Sequence, residues 1–423
     1  MNTRLFLLLA LAMCVLAGCT TTPTNTNTAT INPTPSPTAS PSPAQATSTT
    51  PAQVTLPLLD ALLGDEKFAG ELRSELQLSN EQIESLKRVS SAEIARLREI
   101  NAEELEETSG DAHTRASEQL NQILGDEKAR ELATFANDYW ARGDQTNGAS
   151  DSGPAVEMLK GPNAVPSDTR VVVNIPAFRM DVFEDGSLVK SYQVGIGYPE
   201  FPLPQGLRKA QSIIFNPTWT PPDEPWVAKM RNVRPGETVE PGSKENPLGP
   251  IKIPIGMPSL IHGGKPVSKI GKFASHGCVG MTTNQVKDFA MLLGKASNTE
   301  LSQQAIDDYL KNKTRTETVK LNQTVPVELR YETIVLEDDG KLYIYKDVYA
   351  QGTNTEENLR SVLEAHGLRL EDLPEDQRAK ALSALQTKNQ KEVVIDLGQA
   401  ARKGYPVAVN LDKGSGVAKG RRT

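Results

Sequence analysis

Cysteine, histidine and aromatic residues are all scarce in this chain. Its 423 residues include 3 cysteines and 4 histidines, and only 5% of them are aromatic. So few cysteines exclude a disulfide-rich secreted scaffold. The apolar fraction of 38% is low for one fully packed globule, which indicates that part of the chain builds no core. Basic residues are not in excess, with 46 Lys and Arg against 53 Asp and Glu, and this balance argues against a nucleic-acid binder.

The apolar run at the N terminus, residues 5–15, is too short to serve as a permanent membrane-spanning helix. It is followed by Leu16-Ala17-Gly18-Cys19, which resembles a bacterial lipoprotein signal. The resemblance implies that residues 1–19 are a signal peptide and that Cys19 receives a lipid. The protein is then exported and anchored to a membrane of the cell envelope. Thr20, where an inner-membrane retention signal has Asp, favours the outer membrane in a cell with two. An ordinary secretory signal with an incidental cysteine is the alternative.

Charge is absent from the next stretch. Residues 20–54 contain no charged side chain, but 12 Thr and 7 Pro. Such a composition buries little and favours extended conformations. We therefore interpret residues 20–56 as a disordered tether that lifts the folded part off a membrane.

Residues 57–145 are charge-rich and periodic, which predicts a helical domain without catalytic chemistry. Ser79 and Gln82 have the spacing of a helix capping box. Apolar residues then recur at helical spacing, first at Ile83, Leu86, Ile94 and Leu97, and in a second predicted helix at Leu120, Ile123, Leu132 and Phe135. A polar linker is predicted at residues 144–154.

The period changes to that of strands near residue 170. Strands are predicted at residues 171–175, 179–183 and 188–196, with a turn at 184–186, and a later hairpin joins residues 327–336 and 342–345. Prolines between residues 199 and 222 indicate loops at the rim of a sheet. The fold class is α+β multidomain: a mainly-β domain, of two packed sheets or a distorted barrel, flanked by helical segments. Residues 351–423 are predicted to be a C-terminal helical appendage, with a short strand at 393–397 and a polar tail.

One dense cluster of reactive residue types lies in the strand-rich part. His262-Gly263-Gly264 is followed by Ser275-His276-Gly277-Cys278, so two of the four histidines lie near the only cysteine outside the leader. An imidazole can take the proton of a thiol or stabilise its thiolate. Gly277 permits tight backbone geometry, and the N–H groups around it and Cys278 can face a developing oxyanion. The residue types leave two alternatives open, a buried core cysteine and a zinc site, although the paired ligand spacing of zinc sites is missing.

This cluster resembles the catalytic signature of the L,D-transpeptidase family (YkuD-type), an upstream His-Gly followed by Ser/Thr-His-Gly-Cys. Further similar segments are residues 194–197, 216–222, 246–249 and 347–349, the last resembling the family's closing strand. The resemblance covers residues 168–350. It implies a catalytic domain that acts on peptidoglycan stem peptides with no metal, organic cofactor or nucleic acid.

Carried over residue by residue, the resemblance makes Cys278 the nucleophile and His262 the proton donor and acceptor. His276 and Ser275 shape the surroundings of the thiolate, Gly277 shapes the backbone, and Gly263 belongs with Ser275 and Gly277 to the predicted oxyanion and substrate-binding set. The sequence also allows His276 as the base. One departure is Gly280, where the family commonly has Arg two positions after the cysteine. Lys265, Lys269 and Lys272 are candidates for the missing charge, or are solvated loop lysines.

The implied reaction releases the terminal D-Ala of a tetrapeptide stem and forms a thioester on Cys278. The acyl group then passes to an amine, in cross-linking or anchoring. Alternatives are a hydrolase that uses the same acyl-enzyme, and a non-enzymatic peptidoglycan-binding lipoprotein that retains the fold.

Overall fold

The computed structural model describes residues 54–99, 109–142, 157–221, 227, 230, 232–256, 259–386, 391–398 and 404–414. The predicted signal peptide with Cys19, the tether up to residue 53 and the linker at 144–154 lie outside these residues. No helix within them is both long and apolar enough to cross a membrane.

The N-terminal segment is helical, as its periodicity predicts. Its helices are α1 (Leu56–Leu63), α2 (Glu66–Ser74), α3 (Asn80–Glu99), α4 (Ser109–Leu124) and α5 (Asp126–Arg142). The Thr55 hydroxyl caps α1 by accepting from the Leu58 N–H at 3.3 Å. The first helix therefore begins at Leu56, one residue before the predicted start of the helical domain at residue 57. The capping box before α3 is confirmed, because Ser79 N–H donates to Gln82 Oε1 at 2.9 Å and Gln82 N–H donates to Ser79 Oγ at 3.2 Å.

The predicted apolar face of α3 is buried at all four positions, and Ile83 and Leu86 belong to a core shared by the helices of this segment. The second predicted helix, which was to run from Leu120 to Phe135, is divided between two helices in the structure. Leu120 and Leu132 are buried as expected, but they belong to two helices. Gly125 ends α4 with a φ of +79°, a left-handed conformation that glycine adopts without strain, and the chain changes direction there.

A mixed sheet forms the centre of the mainly-β domain. Its strands, given in spatial order, are β3 (Ser187–Gln193), β2 (Arg179–Glu184), β1 (Arg170–Asn174), β10 (Glu317–Arg330), β5 (Gly206–Phe215), β6 (Ile251–Pro254), β7 (Leu260–His262) and β9 (Val279–Gly280). Neighbours are antiparallel except for β1 with β10 and β7 with β9. A second, two-stranded sheet pairs β4 (Ile196–Gly197) with β8 (Phe273–Ser275). The predicted hairpin of β1 to β3 is confirmed, although β3 ends at Gln193 and not at 196.

Two further helices, which the sequence reasoning missed, pack on this sheet. They are α6 (Thr283–Ala296) and α7 (Gln303–Lys311), and they bury Phe289 and Ile306 in the sheet's core. A signal for α6 was present: Thr282 and Gln285 form a second capping box, with Gln285 N–H donating to Thr282 Oγ1 at 3.2 Å and Thr282 N–H to Gln285 Oε1 at 2.9 Å.

The C-terminal segment contains helices and, close to the predicted residues 393–397, a short strand. A three-stranded sheet contains β11 (Ile334–Leu336), β12 (Lys341–Tyr345) and β13 (Glu392–Asp396). This sheet shares a core with α8 (Glu356–Ala365) and α9 (Glu375–Leu385). The predicted strand at 327–336 is therefore two strands, since β10 ends at Arg330 in the large sheet and β11 begins at Ile334 in the small one. The hairpin assigned to the domain ending at residue 350 packs with the C-terminal helices.

Candidate active site

The cysteine lies in a three-residue loop between two short strands. Ser275 ends β8, Cys278 directly precedes β9, and Gly277 between them has a φ of +84°. The Ser275 hydroxyl accepts from the Cys278 N–H at 3.1 Å and donates to the Cys278 carbonyl at 2.5 Å. Ser259 Oγ donates to the Gly277 carbonyl at 2.9 Å. Two hydroxyl groups thus hold the loop in a conformation that glycine alone adopts readily at position 277.

These bonds show how Ser275 is held. Ser275 is buried and both of its bonds go to the backbone of Cys278, so its hydroxyl holds the loop. The predicted oxyanion and substrate-binding roles of Ser275 and Gly277 stay predictions. The serine in the motif is explained by this pairing of one hydroxyl with both backbone groups of the cysteine.

His262 is brought beside the cysteine loop by strand pairing. In the parallel pair of β7 and β9, Ile261 lies opposite Val279 and His262 opposite Gly280. The His262 ring is buried, and its Nδ1 lies 2.9 Å from the carbonyl oxygen of Gly263. Because a carbonyl only accepts, Nδ1 carries the proton and Nε2 of the neutral ring carries the lone pair.

Gly263 has two structural contacts. Its carbonyl fixes the tautomer of His262, and a Cβ on Gly263 would lie 2.6 Å from Cγ1 of Val286 in α6. The glycine therefore lets α6 approach β7 closely. Its predicted part in substrate binding stays a prediction.

Burial keeps both reactive groups uncharged. It lowers the pKa of His262 to about 3, with a further lowering by the Lys265 charge, although the carbonyls of Gly263 and Leu248 act in the opposite direction. Burial also raises the pKa of the Cys278 thiol above its ordinary value, and the Leu260 N–H and the Lys265 charge offset this only in part. Cys278 is nevertheless partly exposed, so a reagent can reach it. At neutral pH the site therefore holds a thiol and a neutral imidazole.

His276 lies among aromatic side chains. Its ring centroid is 4.9 Å from that of Phe201 in an edge-on contact and 5.3 Å from that of Tyr198. Burial, followed by the Lys265 charge, lowers the pKa of His276 well below its ordinary value. This packing places His276 in the wall of the site.

The helical segment contributes a residue that sequence reasoning missed. Trp140 in α5 is buried, and its Cζ2 lies 4.0 Å from the position that a Cβ on Gly277 would take. The Trp140 carbonyl accepts a hydrogen bond from Arg208 in β5. No motif distinguished Trp140, because its spacing in α5 is that of an ordinary core residue.

The segment resembling a closing strand, residues 347–349, is a turn instead. Tyr349 is buried there, where its hydroxyl donates to the Gly197 carbonyl at 2.8 Å and accepts from the Leu203 N–H at 3.0 Å. The Asp347 carboxylate accepts from the Tyr331 hydroxyl at 2.5 Å. These side-chain bonds replace strand pairing and tie the turn to the loop that follows β4.

The zinc alternative has no support among the described residues. None of their His, Cys, Asp and Glu side chains form a group of three or more that could hold a metal ion. Tetrahedral zinc sites need three or four such ligands.

Comparisons with known proteins find a family match that covers the site. Residues 168–301 match the family model of the L,D-transpeptidase catalytic domain (YkuD). No curated protein matches the chain.

Solved structures with detectable similarity include three L,D-transpeptidases. The Enterococcus faecium catalytic domain, determined by NMR, is 17% identical over 40% of this chain and 100% of its own, with a TM-score of 0.25. The Mycobacterium smegmatis enzyme is 16% identical over 38% of this chain and 58% of its own, with a TM-score of 0.24. The Mycobacterium tuberculosis H37Rv enzyme is 15% identical over 38% and 57%, with a TM-score of 0.22. The chain thus spans less than two thirds of the mycobacterial proteins, and at these TM-scores the likenesses add no argument to the family match. Residues 168–301, which include every site residue from His262 to Gly280, match the L,D-transpeptidase catalytic domain family.

Proposed function

We propose that the protein is a peptidoglycan L,D-transpeptidase in which Cys278 is the nucleophile and His262 the proton acceptor and donor. The observation that supports the proposal is the parallel register of β7 and β9, which pairs a buried, neutral His262 with Gly280, two residues after a partly exposed cysteine. The family match of the same residues supplies the reaction class.

The acyl donor is a tetrapeptide stem, and the bond attacked is the amide between its diamino acid and the terminal D-Ala. As the sulfur of Cys278 bonds to the carbonyl carbon, the thiol proton passes to Nε2 of His262. The tetrahedral intermediate collapses, the C–N bond breaks, and His262 returns the proton to the leaving amine of D-Ala. A thioester remains on Cys278.

The second half of the reaction transfers the acyl group. An acceptor amine attacks the thioester carbonyl and gives a proton to His262. The C–S bond then breaks, and the sulfur regains that proton. The product is a new amide, in a cross-link or an anchored protein. Water in place of the amine makes the protein a hydrolase.

Its place in the cell is part of the proposal. The lipoprotein-like sequence that ends in Cys19 supports a lipid anchor, and the uncharged Thr/Pro-rich stretch supports a tether to the membrane. Such an arrangement holds the site in the compartment that contains peptidoglycan.

The test supplies the purified protein with a tetrapeptide stem and an amine acceptor, and measures free D-Ala and the joined product by mass spectrometry. We expect both products from the wild type, and a loss of more than about 10³-fold in Cys278→Ala. The folding of the variant is checked by its thermal unfolding. Unchanged D-Ala release by Cys278→Ala contradicts the proposal. Binding of the stem without release by the wild type indicates the non-enzymatic binder, and release without joining indicates the hydrolase.

A further inference from the structure

The side chain of Lys265 fills the space beside Gly280. A Cβ built on Gly280 would lie 2.9 Å from Cγ and 3.1 Å from Cε of Lys265. Gly280 is not among the glycines with positive φ, so its backbone conformation is open to other residues. The close approach of the aliphatic part of Lys265, and not the backbone conformation, therefore explains why position 280 is a glycine.

Strand geometry places this lysine on the face that carries His262. Gly280 is the register partner of His262, and paired residues of neighbouring strands point to the same face of a sheet. His262 and the stem of Lys265 therefore lie on one face of β7 and β9. The loop that carries Cys278 leads directly into β9, two residues before Gly280.

The backbone holds Lys265 in this place. Its N–H donates to the Met281 carbonyl at 3.0 Å, and the Met281 N–H donates to the His262 carbonyl at 2.8 Å. These two bonds connect the residue that follows Gly280 to both Lys265 and His262. The stem of Lys265 is therefore directed by the same strands that pair His262 with Gly280.

The other two lysines between the histidines are placed differently. Lys269 is exposed and its Nζ donates to the Tyr198 hydroxyl at 3.1 Å, and Lys272 is exposed. Lys265 is half-buried, and its charge lowers the pKa of Cys278, His262 and His276. A neighbouring cation favours a thiolate and disfavours an imidazolium, so one charge acts on both partners of the proton transfer.

We propose that Lys265 is the positioning cation of this site, whose ammonium group stabilises the Cys278 thiolate as it forms and promotes return of the proton from His262. The role of Lys265 in turnover rests on the proposed function, whereas its effect on the thiol does not. Gly280 contributes to this arrangement, because the absence of a side chain at position 280 leaves room for the stem of Lys265.

The experiment measures alkylation of Cys278 by iodoacetamide, an uncharged reagent, from pH 6 to 10, with intact-protein mass spectrometry as the readout. Because the thiolate is the reacting form, the rate at a fixed pH below the thiol pKa reports the thiolate fraction. We expect Lys265→Met, which keeps the aliphatic length, to slow alkylation about tenfold at pH 8, which corresponds to a rise of about one pH unit in the thiol pKa. Lys265→Arg retains the wild-type rate, and so does the matched control Lys269→Met.

A charge relocation separates electrostatics from packing. In the double variant Lys265→Ala/Gly280→Arg, the alanine vacates the space beside position 280 and the arginine returns a cation to it. We expect alkylation to be faster than in Lys265→Ala alone and near the wild-type rate. A Lys265→Met profile that matches the wild type overturns the inference, and so does a double variant no faster than Lys265→Ala.

The two proposals fail in different ways. If the wild type releases D-Ala while Lys265→Met alkylates like the wild type, the lysine inference fails and the proposed function stands. If Lys265→Met shifts the alkylation profile but the wild type never releases D-Ala, the inference about the thiol stands and the proposed function fails.

Discussion

His262 depends on its own backbone rather than on an acidic partner. The bond from its Nδ1 to the Gly263 carbonyl selects the tautomer, and burial keeps the ring neutral. A neutral imidazole can accept the thiol proton at any pH well above about 3, so this base does not limit the reaction in mild acid.

The first prediction at this scale concerns His262→Gln. Glutamine retains a hydrogen-bonding side chain but cannot accept a proton at neutral pH, so we expect acylation of Cys278 by the tetrapeptide to slow by about 10²–10⁴-fold. Alkylation by iodoacetamide should change little, because the thiol and imidazole are both neutral and no ion pair is lost. His366→Gln, in the C-terminal segment, is the control. Acylation by His262→Gln at the wild-type rate contradicts the assignment of the base.

Individual site residues differed in how far the sequence could predict them. Cys278 and His262 were identified as a cluster because reactive residue types are rare in this chain, and their roles were predicted from the resemblance to the L,D-transpeptidase signature. Ser275 and Gly263 were assigned to substrate binding, yet their contacts hold the cysteine loop and the histidine tautomer. Such roles depend on where one hydroxyl and one carbonyl point, which the spacing of residues does not specify. For the same reason, the choice of Lys265 among three lysines required the structure.

At the scale of elements, local patterns were predictive where one face of an element is buried. The helices around residues 83–97 and the hairpin of β1 to β3 follow from apolar periodicity and turn residues. The run at 327–336 contains no glycine or proline to mark a break, so its division between two sheets was not visible in the sequence. That division is set by long-range partners: β10 pairs with β1 and β5, whereas β11 pairs with β12.

The pairing of β7 with β9 could not be predicted from the sequence either, because it too depends on long-range contacts. Parallel partners are joined by a crossover, and nothing local indicates the register that sets His262 opposite Gly280. The contact between Trp140 and the cysteine loop likewise joins residues far apart in the chain. The sequence therefore identifies the cluster of reactive residues, but not the tertiary contacts that arrange them.

At the scale of the whole molecule, two buried histidines predict that the free energy of unfolding falls in acid. Burial lowers the pKa of His113 to about 4, opposed by the Asp347 charge, and that of His262 to about 3. In the unfolded chain both have ordinary values near 6.5. Below that pH the unfolded state binds protons that the folded state does not, so stability is full above about pH 6.5 and declines as the pH falls towards 4.

His113→Gln tests this prediction, because the variant removes one such group outside the site. We expect the melting temperature of the wild type to fall between pH 6.5 and 4, and that of the variant to fall less. The difference corresponds to at most about 3 kcal/mol at the acid end. A constant offset at every pH would indicate lost packing alone and would contradict the prediction.

The central claim is that Cys278 forms a thioester with a peptidoglycan stem, and intact-protein mass spectrometry tests it most directly. The wild type is mixed with excess tetrapeptide without an amine acceptor and quenched in acid, and the modified residue is located by peptide mapping. The account predicts a mass increase equal to the stem minus D-Ala, located on Cys278, removed by hydroxylamine and absent from Cys278→Ala. D-Ala release without such an adduct at any quench time, or an adduct of the same mass on Cys278→Ala, would contradict it.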